Sequence, residues 1–172
     1  MKTAIIIPTY KRPAFLERVL TSLSQCVYPS DVEIHVVENG PVSGSEEVCR
    51  THSIGGRVRY LYSPIAGRSK AINYAVECSD ADFFIFFDDD ILVPTDMVAV
   101  YVSAAERHGK GHFFGGPLIP DAETECPADL IPHLPRSAIG WSHGKKEMEI
   151  PASDFEFFFG ANWAVFKADL EK

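Results

Sequence analysis

The chain has 172 residues, 46% of them hydrophobic, and a formal net charge of −8. That supports one folded domain with a sizeable core and argues against disorder. An acidic balance without a long Lys/Arg run excludes generic nucleic-acid binding, though not a nucleotide as a small ligand.

No apolar run is long enough for a transmembrane helix. The opening MKTAIIIPTYKRP does not read as a secretory signal, because Pro8, Lys11 and Arg12 interrupt its short apolar stretch. Cys26, Cys49, Cys78 and Cys126 are scattered, with neither a C-x-x-C pair nor zinc spacing. They read as reduced thiols, so the expected location is the cytoplasm, with peripheral attachment to the inner face of a membrane left open.

A β-branched run from Thr3 to Ile7 predicts a buried strand. RPAFLERVLTSLSQ predicts a helix with Phe15, Val19, Leu20 and Leu23 on its apolar side and Pro13 near its start. Val32 to Val37 reads as a second strand, and SGSEEVCRTH as a short helix with a serine cap and early acids. RVRYLY is a third strand. GRSKAINYAVECS is a helix with Ala71, Ile72, Ala75 and Val76 on one side. DFFIFF is a fourth strand, apolar on both faces, and PTDMVAVYVSAAERHG a helix that stops at Gly109.

Strands that are near-continuous apolar runs, alternating with helices, predict a mainly parallel α/β sheet with helices on both faces. Six of the twelve prolines fall between Pro117 and Pro151. That stretch reads as mostly loop, with a hairpin around AIGWSHGKKEMEI, and the loop from Asp121 to Asp154 is the candidate for a lid over a binding site. The expected organisation is a single domain over 1–172, with a βα part at 1–116 and a loop-rich part at 117–172.

The fourth strand runs straight into Asp88, Asp89 and Asp90. In an open α/β sheet, ligands bind beyond the carboxyl ends of the strands. If the chain stays extended, Asp88 and Asp90 point to one side and repel each other. A hard divalent cation such as Mg²⁺ or Mn²⁺ would remove that cost, completing its shell with water and phosphate oxygens. The triplet therefore reads as a handle for a metal–diphosphate, against the plainer reading of a solvated acidic turn.

The other strand ends fit this. Thr9 and Tyr10 offer a hydroxyl and an aromatic face for a base. Glu38, at the second strand's end, could accept from a base N–H or a ribose hydroxyl. Gly67 allows close backbone approach, while Arg68 and Lys70 could offset phosphate charge at a helix start. The six histidines show no ligand spacing. Trp141 and Trp163 could stack on a sugar or simply pack.

These segments together resemble the family 2 glycosyltransferases of GT-A fold. AIIIPTYKRPAFLERVLTSLSQ is similar to that family's first strand and helix, and EIHVVENG to its second strand. GRSKAINYAV is similar to its Gly-x-x-x-Ala-x-Asn segment, FFIFFDDDILVP to its D-x-D strand, and FFGANWAVFKADLEK to its Gly-Ala-Asn segment.

The resemblance implies a metal-dependent, inverting transfer of a sugar from a nucleotide-diphosphate donor to a hydroxyl of a saccharide, lipid or other acceptor. It implies a nucleotide-sugar-binding part at 1–116 and a partial acceptor-side part at 117–172, with Thr9, Tyr10 and Glu38 contacting base and ribose, Arg68 near the diphosphate, and Pro8, Arg12, Gly67 and Asn73 also in the substrate site. Asp89 would hold the ribose or sugar side, and Asp88 and Asp90 would serve Mn²⁺ or Mg²⁺. Gly160, Ala161 and Asn162 would border sugar and acceptor.

Glu38 replaces the family's usual Asp, and Asn39 removes one acid. No clear equivalent of the family's catalytic Asp, which follows the Gly-Ala-Asn helix, is seen before Lys172; Asp154 and Glu156 are the nearest acids. That suggests a donor-binding part of a longer enzyme, and keeps a non-catalytic nucleotide-sugar-binding module as an alternative. A haloacid dehalogenase-type phosphatase would also use an apolar strand followed by D-x-D. Its motif ends the first core strand, however, and here three strands come first.

Overall fold

The computed structural model describes residues 1–29, 31–121, 124–144, 146–151, 153 and 160–170. Four strands and helices alternate as the apolar runs predict. They are β1 (Thr3–Thr9), α1 (Pro13–Ser24), β2 (Val32–Asn39), α2 (Ser45–Thr51), β3 (Val58–Ser63), α3 (Arg68–Glu77), β4 (Phe83–Phe87) and α4 (Met97–His108). Beyond α4 the described elements are short: β5 (Phe113–Gly115), a 3₁₀ turn (Ile131–His133), α5 (Arg136–Ile139), β6 (Asn162–Phe166) and α6 (Lys167–Leu170).

The strands form one sheet in the order β3-β2-β1-β4-β6-β5. β3, β2, β1 and β4 are parallel, while β6 runs antiparallel to both β4 and β5. β1 and β2 pair along their whole shared length, Thr3 opposite Val32 through Thr9 opposite Glu38. Their polar ends therefore emerge together.

Successive strand residues face opposite sides, and both sides are filled. Ile5, Ile7, Ile34, Val36, Phe83, Ile85 and Phe87 pack against Leu16, Val19, Leu20 and Leu23 of α1 and against Val98, Tyr101 and Ala105 of α4. Ala4, Ile6, Val37, Phe84 and Phe86 meet Ala71 and Ala75 of α3 on the opposite side. All five residues of β4 are at most 1% exposed. Burying a large apolar side chain contributes about 1.5–3 kcal/mol, so β4 is anchored along its length and fixes where the acidic triplet begins.

Several expectations are corrected. Phe15 is 36% exposed, and Leu16 takes its core position; the exposed ring lies near the guanidinia of Arg12 and Arg18. The α2 helix has Gly44 at its N-cap with no side-chain cap, because the hydroxyls of Ser43 and Ser45 both donate to Glu38 instead. Among the described residues of AIGWSHGKKEMEI there is no hairpin; Trp141 forms a single antiparallel bridge with Leu118. β6 is a strand that periodicity did not flag, since NWAVF is short and lies beside residues that read as a loop.

The α4 helix ends at Gly109, whose φ of +73° lies in the region glycine adopts without strain. Among the described residues, no helix is long and apolar enough to cross a membrane. Each of the four cysteines is free.

Candidate functional site

β1 and β4 are neighbours, yet the chain leaves β1 toward β2 on its other side. Strand order reverses here, and the carboxyl ends of such a pair open a crevice. A cleft of about 310 Å³ lies at this point, at the lower end of the range for small-ligand sites. Pro8, Thr9, Tyr10 and Arg12 line it from the end of β1, Asn39 from β2, Ala66, Gly67 and Arg68 from the start of α3, and Asp88 and Asp89 from the end of β4.

Asp89 is wholly buried. Thr9 Oγ1 donates to its Oδ2 at 2.6 Å. Arg12 forks across two acids, with one nitrogen 2.6 Å from Asp89 Oδ1 and the other 2.8 Å from Asp90 Oδ2. The approach to Oδ1 is an ion pair without hydrogen-bond alignment, so that buried oxygen has no donor hydrogen aimed at it. Burial pushes the Asp89 carboxyl above its ordinary value. Thr9 and Arg12 pull it back, and the charges of Asp90 and Asp88 push it up again.

Asp88 accepts from Nε and Nη2 of Arg68 at 3.0 and 2.7 Å, through the same oxygen. Arg68 Nη2 also donates to the Gly160 carbonyl at 2.6 Å, and the Asp88 amide donates to the Ala161 carbonyl at 3.2 Å. Gly160 and Ala161 thus stand beside Arg68 and Asp88 through their backbones.

The expected extended run of acids is interrupted. β4 ends at Phe87, and Asp89 and Asp90 form a turn that draws Asp89 inward and leaves Asp90 exposed.

The structure places Glu38 away from the cleft. Its Oε1 accepts from the Ser43 amide and from the hydroxyls of Ser43 and Ser45 at 2.6–2.9 Å, and its Oε2 accepts from Tyr60 at 2.6 Å. Burial pushes this carboxyl up, but the hydrogen bonds from Ser43, Tyr60 and Ser45 together hold it below the usual value.

Asn39, the next residue, faces the cleft. Its amide donates to the Thr9 carbonyl at 2.7 Å and accepts from the Gly67 amide at 2.9 Å, joining the ends of β1 and β2 to the start of α3. Strand alternation is the signal that finds it: if Glu38 turns to one side, Asn39 turns to the other.

Asn162 is also used as scaffold. It accepts from the Tyr101 hydroxyl at 2.7 Å and donates to the Pro117 carbonyl at 3.2 Å. Asn73 is exposed on α3 and does not line the cleft. Asp154 and Glu156 lie outside the described residues.

Tyr10 forms a partly exposed aromatic wall, 43% exposed. A Cβ on Gly40 would sit 2.7 Å from its Cε2, and Gly40 has a φ of +87°. Gly40→Ala should therefore cost about 1–2 kcal/mol of stability. By displacing the ring it should also weaken binding of a ligand in the cleft roughly 3–10-fold. Melting curves and titration calorimetry would check both effects.

The donor chemistry fits a hard divalent cation: adjacent carboxylates at the end of β4, one buried oxygen without an aligned donor, and room for further oxygens from a ligand. As the side chains stand, arginines hold the acids, and among the described residues no three acidic, Cys or His groups converge on one point.

A mainly parallel α/β sheet with an acid- and arginine-lined cleft at its reversal point defines a doubly wound fold with a candidate ligand site. The sequence matches the family model described as Glycosyl transferase family 2 over residues 4–168, and the chain belongs to that family.

A validoxylamine A glucosyltransferase of Streptomyces hygroscopicus subsp. limoneus is 28% identical over 104 residues, an alignment that takes in 59% of this chain and 23% of the relative. A mannosyltransferase from Pyrobaculum calidifontis, solved with GDP-Man and Mn²⁺, superposes with a TM-score of 0.67 at 17% identity over 99% of this chain and 46% of its own. Residues 1–349 of S. aureus TarS, solved with UDP-GlcNAc, give a TM-score of 0.64 at 17% identity over 76% of this chain and 38% of theirs. The chain thus spans about a quarter of that curated relative and less than half of each of these structures.

Proposed function

We propose that this chain forms the donor-binding part of a glycosyltransferase that moves a sugar from a nucleotide-diphosphate sugar to an acceptor hydroxyl, with inversion and with the help of Mg²⁺ or Mn²⁺. The observation that carries this reading is the cleft between the ends of β1 and β4, where Asp88 and Asp89 face Arg12 and Arg68 in a member of this family. Neighbours solved with GDP-Man and Mn²⁺ or with UDP-GlcNAc support the choice of donor class.

In this reading the Tyr10 ring offers a face for the base, and Asn39, pinned between β1 and α3, holds the cleft open at ligand width. Arg68 and Lys70 occupy the first turn of α3, where the helix dipole is already positive. Placing cations there is unfavourable without an anion; Asp88 supplies one for Arg68, and a diphosphate would supply another. Asp88 and Asp90 would hold the cation. A bound cation would offset the negative charge that builds on the departing diphosphate. A carboxylate base would take the acceptor hydroxyl's proton as that oxygen attacks the anomeric carbon. Asp154 and Glu156 remain its candidates.

Titration calorimetry with uridine, guanosine and thymidine diphosphates, each with Mn²⁺, tests the reading. At least one should bind in the micromolar range, about −7 to −8 kcal/mol. The absence of binding for all of them would remove the proposal.

A further inference from the structure

Arg12 sits where two acids of the triplet need a positive charge. Its fork spends one nitrogen on Asp89 and the other on Asp90, at 2.6 and 2.8 Å. Arg68 does not share this work: its two contacts run to one oxygen of Asp88, and Nη2 is also engaged by Gly160.

The two ends of the Arg12 contact differ in freedom. The Asp89 side chain is 0% exposed, whereas that of Arg12 is 45% exposed. The acid is fixed and the base can leave. In the same pose the guanidinium lies 5.8 Å from the ring centroid of Phe15, a residue pulled out of the core, whose ring Arg18 approaches at 5.9 Å. Arg12 follows Lys11, a non-glycine residue with a φ of +54°. That strained backbone suits a switching segment.

We propose that Arg12 is a displaceable counter-ion. It balances Asp89 and Asp90 while no ligand is present, and it gives up Asp90 when a nucleoside diphosphate supplies another anion for the guanidinium to pair with. This rests on the donor-binding reading above. A cation arriving alone meets a like charge already seated on Asp90, one of its two ligands. A cation arriving with a diphosphate does not, because Arg12 then has phosphate oxygens to move onto. Arg12 thereby couples metal binding to nucleotide binding, and the coupling is reciprocal. Arginine suits the task because its planar fork spans two carboxylates, which a lysine ammonium cannot match.

The test is Mn²⁺ titration followed by the electron paramagnetic resonance signal of the free ion, first with the metal alone and then with each of the three nucleoside diphosphates. It uses the wild-type chain, Arg12→Gln and Arg12→Lys, with melting curves to confirm folding. Arg12→Gln should bind Mn²⁺ alone at least ~10-fold more tightly than wild type, and Arg12→Lys roughly 3-fold more tightly. In Arg12→Gln the gain in Mn²⁺ affinity on adding diphosphate should shrink by the same factor. If Arg12→Gln does not fold, Arg12→Lys decides.

Mn²⁺ affinity without nucleotide that is unchanged or weaker in the variant, while diphosphate still recruits Mn²⁺ to wild type, would overturn the counter-ion role and leave the donor-binding reading standing. Failure of every diphosphate to recruit Mn²⁺ to wild type would overturn both.

Discussion

Asp89→Asn should lower nucleoside-diphosphate affinity, measured by calorimetry in Mn²⁺, by ~100-fold or more, or about 2.7 kcal/mol, yet leave the folded state as stable as wild type within about 1 kcal/mol. The two halves of this expectation come from one observation. Asp89 is buried, and its burial together with the charges of Asp90 and Asp88 raises its proton affinity more than Thr9 and Arg12 lower it. A carboxyl whose pKa is raised by folding is one whose charge the fold does not favour.

The sign follows directly. At neutral pH the ionised Asp89 works against folding, so an uncharged, isosteric amide relieves that cost. It keeps an oxygen for the Thr9 hydroxyl to donate to. What it removes is the negative charge at the base of the cleft and the anchor of Arg12. A strongly destabilised Asp89→Asn that still binds diphosphate normally would show that the acid is scaffold.

Much of this architecture could be read from the residues, and the reasons are local. β1 and β4 are apolar on both faces and buried throughout, and only a sheet covered on both sides gives that pattern. Thr9 and Asp88 could be grouped because each lies at the end of such a run, and Gly67 and Arg68 because they open the helix that follows the third strand.

Two kinds of feature were hidden. One is the choice of side for residues at a strand's end, where period-2 alternation meets an unknown loop. Glu38 and Asn39 exchanged expected prominence because the glutamate chain reaches Tyr60 on β3 and the serines after Gly40. The other is pairing across 45 to 92 residues. Nothing near Asn162 in the chain announces Tyr101 or Pro117, and nothing near Arg68 announces Gly160. β6 was missed for the same reason: five residues become a strand by lying against β4.

Glu38 shows the opposite balance from Asp89, and Glu38→Ala should be the most destabilising single change at these strand ends, at about 3–5 kcal/mol by thermal or urea unfolding. Its carboxylate is the common acceptor for the Ser43 amide and for the Ser43, Ser45 and Tyr60 hydroxyls. Alanine would strand all of these donors in a site that is 0% exposed at Glu38. Losing a buried partner costs about 1–3 kcal/mol per group, partly recovered by rearrangement. Tyr60→Phe removes one donor and should cost only about 1 kcal/mol.

The pH dependence has a definite sign. Folding lowers the Glu38 pKa below its ordinary value of 4.5. The carboxylate's contribution is therefore complete above that value and is lost as pH falls through the lower native one. The stability gap between wild type and Glu38→Gln should close on acidification below about pH 4.5. Where it is still folded, Glu38→Gln should bind nucleoside diphosphate within ~3-fold of wild type, since the side chain is turned away from the cleft. A loss of more than ~10-fold with unchanged stability would instead put Glu38 in contact with base or ribose.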